Sequence, residues 1–139
     1  MKKLRITVMQ ITTYPELIAC YETPQTLPCS MHVGDVFYAD GWQKPDGFCD
    51  SAWQTLSPFA LALSHGAEGF YDGWMKDPRS AMLSCNDGFR PVTFLLEALD
   101  EDAIYIQPPR PGGRAAPRSP SAAAPPAASI SSSHSPCGA

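Results

Sequence analysis

The chain has 139 residues and a formal charge of −4, room for one compact domain and a short appendage. Residues 1–107 hold all 14 acidic and seven of the ten basic side chains, a formal charge of −7, whereas the last 32 residues carry only Arg110, Arg114 and Arg118. An acidic foldable part argues against nucleic-acid binding through a basic surface, and no stretch approaches the roughly 18 apolar residues of a membrane-spanning helix.

Those last 32 residues contain eight Pro, eight Ala, seven Ser and three Gly, too little apolar surface to fold alone. The composition therefore predicts a single globular domain over 1–107 and a disordered Pro/Ala/Ser-rich tail over 108–139. Met1-Lys2-Lys3 runs straight into the alternating Leu4-Arg5-Ile6-Thr7-Val8 rather than an apolar export segment. A soluble, cytoplasmic protein is expected, with Cys20, Cys29, Cys49, Cys85 and Cys137 as thiols or ligands rather than disulfides.

Leu4, Ile6 and Val8 alternate with Lys3, Arg5 and Thr7, the period of a half-buried strand. From Thr12 to Pro28 three prolines and no sustained period predict an irregular crossing, with a short helical turn over Glu16–Tyr21. Asp35 to Ala39, rich in β-branched and aromatic residues, predicts a second strand ended by Asp40-Gly41. Lys44-Pro45-Asp46-Gly47 has the chemistry of a tight turn. A helix follows, capped by Asp50 or Ser51, with Ala52, Trp53, Leu56, Ala60 and Leu63 at helical spacing and Gly66 as its stop. Pro58 predicts a kink or two consecutive short helices.

The aromatic residues Phe70, Tyr71 and Trp74 lie among Gly69, Gly73 and Pro78 in a loop over 67–79, and with Trp42 they either cap the small core, the favoured reading, or form a pocket wall or partner surface. Ser80–Cys85 and Val92–Leu99 read as a hairpin turned by Asp87-Gly88, with Gly88 supplying positive φ and Pro91 at the strand's start. The sum is an α+β domain: a small antiparallel sheet or partly open barrel of about four strands with one central, Pro-kinked helical segment.

Three motif blocks stand out: Cys29 with Gly34-Asp35, then Pro45 to Trp53, containing Phe48-Cys49-Asp50-Ser51-Ala52-Trp53, and Cys85-Asn86-Asp87-Gly88-Phe89-Arg90-Pro91-Val92-Thr93-Phe94. Together they resemble an uncharacterised family of small microbial proteins of about ninety residues, with the patterns FCxxAW and CxDGxRPVxF. The resemblance spans about Lys3 to Leu99 and implies a shared fold unit and site rather than an activity. His65-Gly66-Ala67 stands where those proteins tend to have Gly-Gly.

Cys29, Cys49 and Cys85 fall at the edges of predicted elements, and three readings stand for them. They are structural thiols, ligands of zinc or iron with His32 or Asp87 as the fourth donor, or reactive thiols. Cys49 just before a helix, or Cys85, is the candidate nucleophile of a thiol-dependent enzyme or redox protein, and His65 is the candidate base for Cys49. Arg90 is either half of an ion pair with Asp87, Asp50 or Asp35, or a fork for a carboxylate or phosphate. Asp87 and Trp74 complete the candidate ligand-binding set. No P-loop, dinucleotide fingerprint or HExxH occurs, so nucleotide hydrolysis, Rossmann redox chemistry and zincin proteolysis have no support. The leading expectation is a non-catalytic domain that binds a small molecule, a metal or a protein partner through a Cys/Arg face.

Overall fold

The structure is a computed structural model that describes residues 1–24, 26–27 and 29–104. Met1–Gln107 forms one compact unit, and the tail predicted over 108–139 lies outside the described residues. The elements are β1 (Lys2–Ile11), α1 (Pro15–Tyr21), β2 (Val36–Asp40), α2 (Asp50–Ser64), the short turn α3 (Phe70–Gly73), β3 (Ser80–Ser84) and β4 (Val92–Asp102).

The four strands make one open antiparallel sheet in the order β2-β1-β4-β3. Leu4, Ile6 and Val8 on β1 point to the same face as Ala39, Ala81, Val92, Phe94 and Leu96, and α2 covers that face with Ala52, Leu56, Ala60 and Leu63. The expected α+β class and period-two reading of β1 are what the sheet displays. No helix among the described residues is long and apolar enough to cross a membrane.

The helix departs from expectation at its start, and at Pro58 only the reading as two helices fails. It runs unbroken from Asp50 to Ser64 rather than as two helices. Pro58 removes the N–H that the Gln54 carbonyl would accept, but both residues lie on the exposed face, where water compensates the loss. The N-cap is Cys49, not Asp50 or Ser51, and its side chain makes no capping hydrogen bond. What fixes the entry is apolar: Phe48, the residue before the cap, meets Trp53 edge-to-face at 5.9 Å, the contact of a hydrophobic staple between N′ and N4. Phe48 also reaches Phe37 at 5.0 Å and Phe94 at 5.3 Å, pinning the start of α2 to the sheet. The FCxxAW spacing thus has a structural cause.

Strand β4 continues to Asp102, three residues past the expected end at Leu99. Its acidic end has partners across the sheet: Arg79–Asp100 at 2.7 Å, Lys2–Asp102 at 2.8 Å and Lys3–Glu101 at 3.4 Å. The hydrogen bond from Arg79 holds the Asp100 carboxyl below its ordinary range, and Lys2 does the same for Asp102. Hydrophobic alternation stops at Leu99, so a reading by period ends the strand where charge pairing takes over.

Leu56 is fully buried between α2 and the sheet. Leu56→Ala should lower the unfolding free energy by about 2–5 kcal/mol in a denaturant titration. A loss within experimental error would show that α2 does not seal the core.

Candidate functional site

The site is built at the end of the sheet where β1 leaves and β4 begins. Beyond Ile11 the chain is stitched to the motif loop by Thr12 N–H to the Pro91 carbonyl and Tyr14 N–H to the Phe89 carbonyl, both 3.0 Å. Pro91, which has no N–H, contributes through its carbonyl and sits immediately before β4, as expected. On the opposite side of the loop, Cys85 N–H donates to the Val92 carbonyl at 3.0 Å. Val92 N–H donates to Cys85 Sγ at 3.2 Å, so this thiol takes the place of a ladder acceptor.

The loop between β3 and β4 spans 85–91 and is shaped by a side chain. Asp87 accepts from Phe89 N–H at 2.8 Å and Arg90 N–H at 3.1 Å, the Asx-turn pattern. Gly88 is not among the glycines with positive φ, contrary to the expectation for an Asp-Gly hairpin turn. Seven connecting residues allow the carboxylate to make the turn that a two-residue loop would require from left-handed backbone.

Arg90 forms a fork-to-fork pair with Glu22, Nη1 to Oε1 and Nη2 to Oε2 each 2.6 Å. None of the three expected partners supplies this carboxylate. Asp87 is engaged by the turn, Asp50 by Lys44 at 2.7 Å, and Asp35 accepts from His32 N–H at 2.8 Å. Glu22 is the C-cap of α1, and the Thr12 and Tyr14 stitches set the path that carries it to Arg90. Its side chain is 8% exposed against 24% for Arg90, so the pair is largely removed from water. The hydrogen bond from Arg90 holds the Glu22 carboxyl below its ordinary value of 4.5, outweighing the opposing effect of burial.

Cys29, Cys49, Cys85, Asp87 and Arg90 all line one cavity of roughly 350 Å³, together with Leu27, Ser30, Ser51 and Val92. Three chain segments supply the thiols: the one after α1, the start of α2 and the end of β3. Ser51 hydrogen-bonds Asn86, tying the start of α2 to the motif loop. The two motif blocks are therefore joined directly, which spacing alone did not reveal. Cys29 is exposed, whereas Cys49 and Cys85 are half-buried and rest against the core.

Three expected members of the site lie elsewhere. His32 is exposed and belongs to the turn before β2, 3.8 Å from Asp35. The turn closes on β1 through Gly34 N–H to the Val8 carbonyl at 2.9 Å, with Gly34 at φ 94°. Among the described residues no three His, Cys, Asp or Glu side chains are grouped to hold a metal ion. The zinc or iron set of Cys29, Cys49, Cys85 and His32 is thus not assembled, nor is the version with Asp87. Trp74 does not line the cavity; it stacks edge-to-face on Tyr71 at 5.4 Å in the loop after α2. His65 caps the far end of α2, where Nδ1 lies 2.9 Å from the Leu61 carbonyl. The fifteen residues of α2 lie between it and Cys49, a rise of about 24 Å over the sixteen positions, which removes the Cys49–His65 pair.

Glu22 was invisible in the sequence: it lies in an aperiodic crossing 68 positions from Arg90. Because its folded pKa is depressed, the pair contributes fully above about pH 4.5 and is lost as pH falls through the lower folded value. Glu22→Gln should melt at a lower temperature than the parent near neutral pH, and the gap should close on acidification below pH 4.5. A gap that stays constant with pH would assign the loss to packing. In comparisons with known proteins, no family model, curated protein or solved structure matches this chain.

Proposed function

We propose that the chain is a small, non-catalytic binding domain that takes a small molecule or a protein segment at the cavity of Cys29, Cys49, Cys85 and Arg90. The observation that carries the reading is that three thiols from three separate segments meet at one cavity. Half-buried sulfur and the Leu27 and Val92 side chains offer a soft, largely apolar wall, and Ser51 and Asp87 offer polar groups at its edge. Among the described residues no histidine lines the cavity, and the Asp87 carboxylate there is held by two backbone N–H groups, which favours binding over nucleophilic catalysis. The Arg90 guanidinium, matched by Glu22, acts as a brace for the wall rather than as an open clamp. Membership of the FCxxAW and CxDGxRPVxF family belongs to the same proposal, supported by the staple, the Asx turn and the Ser51–Asn86 bond that these patterns build.

The second reading, a thiol-dependent enzyme or redox protein using Cys49 or Cys85, rests on Cys49 standing at the N-terminus of a 15-residue helix. Screening a library of small fragments by amide NMR should give shifts that cluster at Cys29, Cys49, Cys85 and Val92. Iodoacetamide should label Cys49 and Cys85 no faster than free cysteine at neutral pH. Shifts confined to other surfaces would remove the binding proposal, and alkylation of either residue much faster than free cysteine would favour the second reading.

A further inference from the structure

At an Asp-Gly dipeptide the backbone nitrogen is open to reaction with the preceding carboxyl, since glycine has no Cβ to shield it. The chain has four, at Asp40, Asp46, Asp72 and Asp87, and the structure separates them. The Asp87 carboxylate is held by Phe89 N–H and Arg90 N–H. Asp40 ends β2, its Oδ1 accepts from Ile104 N–H at 3.3 Å, and Gly41 is buried against the Met1 side chain. Asp46 and Asp72 are exposed, and neither carboxylate accepts a hydrogen bond among the described residues.

These two differ in their backbone. Asp46 has negative φ in a turn closed by Phe48 N–H on the Pro45 carbonyl at 3.2 Å and by Lys44 Nζ on the Phe48 carbonyl at 3.1 Å. Opening that turn disturbs Phe48, a core residue. Asp72 and the preceding Tyr71 instead take left-handed conformations, φ 55° and 50°, between Gly69 and Gly73. For residues with a Cβ this setting is strained and persists only where the surroundings enforce it. The enforcement comes from neighbours: Phe70 packs on Phe59 at 5.3 Å, the Tyr71 ring lies 6.4 Å from Phe59 and 5.4 Å from Trp74, and Gly69 N–H meets the Pro78 carbonyl at 2.9 Å. None of these contacts holds Asp72 itself, and no residue from Phe70 to Gly73 is buried. Local opening therefore releases strain at Asp72, whereas at the other three sites it breaks native bonds or packing and releases none.

We propose that Asp72-Gly73 is a site of spontaneous conversion of aspartate to isoaspartate. In the opened loop the Gly73 nitrogen attacks Cγ of the protonated Asp72 carboxyl. The N–H proton and the carboxyl hydroxyl leave as one water, and a succinimide ring closes. Water then adds back to the ring. Opening at the Cγ carbonyl restores aspartate; opening at the backbone carbonyl sends the main chain through Cβ and Cγ and leaves a free carboxylate on Cα. The atoms are those of the starting chain, and no oxidant, reductant or cofactor enters. The extra main-chain methylene frees this position from its left-handed setting and changes how Tyr71 is presented at the pocket it forms with Pro58, Phe59 and Phe70. The product belongs to the substrate class of carboxyl methyltransferases that use S-adenosylmethionine and recognise an isoaspartyl carboxylate.

The full chain is aged in heavy-oxygen water, both native and in denaturant, and the four Asp-Gly peptides are mapped by electron-transfer fragmentation, which distinguishes the two residues. In denaturant the four should convert at comparable rates. In the native protein Asp72 should stay close to its denatured rate and exceed Asp40, Asp46 and Asp87 by about tenfold or more, the ratio for ~1.4 kcal/mol in opening. Heavy oxygen should enter at Asp72 as isoaspartate appears, and an isoaspartate-specific methyltransferase should label that peptide. Asp72→Gly suits the left-handed backbone, so it should lose the label and melt at or above the parent temperature. Native protection of Asp72 equal to that of Asp87, faster conversion at Asp46, isoaspartate without heavy oxygen, or a markedly less stable Asp72→Gly would overturn the proposal.

Discussion

The antiparallel ladder between β1 and β4 is the constraint on which the rest of the structure depends. It joins the first strand of the chain to the last, from Lys2 opposite Asp102 to Ile11 opposite Val92. Each strand then carries one more on its outer side, β2 on β1 and β3 on β4. Pairing over such a separation costs loop-closure entropy, which burial of Leu4, Ile6, Val8, Phe94 and Leu96 under α2 must offset. Ion pairs at the open end, with Arg5–Glu97 at 2.9 Å further in, hold the register where hydrophobic alternation has stopped. Their exposure makes them markers of register more than large contributors to stability.

The same ladder positions the thiol cavity. The register shift between Val8 and Gln10 brings Ile11 opposite Val92, and the chain beyond it is bound to the motif loop at Pro91 and Phe89. That path sets the direction of α1 and so delivers Glu22 to Arg90. Helix α1 has no buried residue of its own, so the Glu22–Arg90 fork is a principal tie between this segment and the domain. The opposite wall follows from Phe48, which seats the start of α2 and with it Cys49 and Ser51. A cavity assembled from four such devices is a product of the whole fold rather than of one loop.

Much of this was legible in the residues. Alternation identified β1, helical spacing identified the buried face of α2, and the turn residues at Pro45 to Gly47 formed the turn they promise, with Phe48 N–H on the Pro45 carbonyl at 3.2 Å and Gly47 at φ 73°. The motif blocks pointed to one face for Cys29, Cys49, Cys85 and Arg90, and these residues line one cavity together with Asp87. What failed were inferences that needed a third dimension. Pro58 did not divide the helix, because an exposed carbonyl can be satisfied by water. Gly88 did not supply the turn, because the Asp87 carboxylate did. His32 and His65, placed with the thiols by residue type, belong to a turn and a helix end that face elsewhere. Glu22 could not be named at all, since ion-pair partners distant in sequence leave no periodic trace. The tandem left-handed residues Tyr71 and Asp72 were equally hidden, although the flanking Gly69 and Gly73 marked the loop as unusual.

The central claim is that the fold gathers three motif thiols around one cavity, and a short bifunctional maleimide tests it most directly. Applied to the native protein at low concentration and followed by peptide mapping, it should link Cys85 to Cys49 or to Cys29, and denaturation before treatment should abolish that preference. Native cross-links confined to Cys20 and Cys29, with Cys49 and Cys85 each labelled singly, would contradict the account.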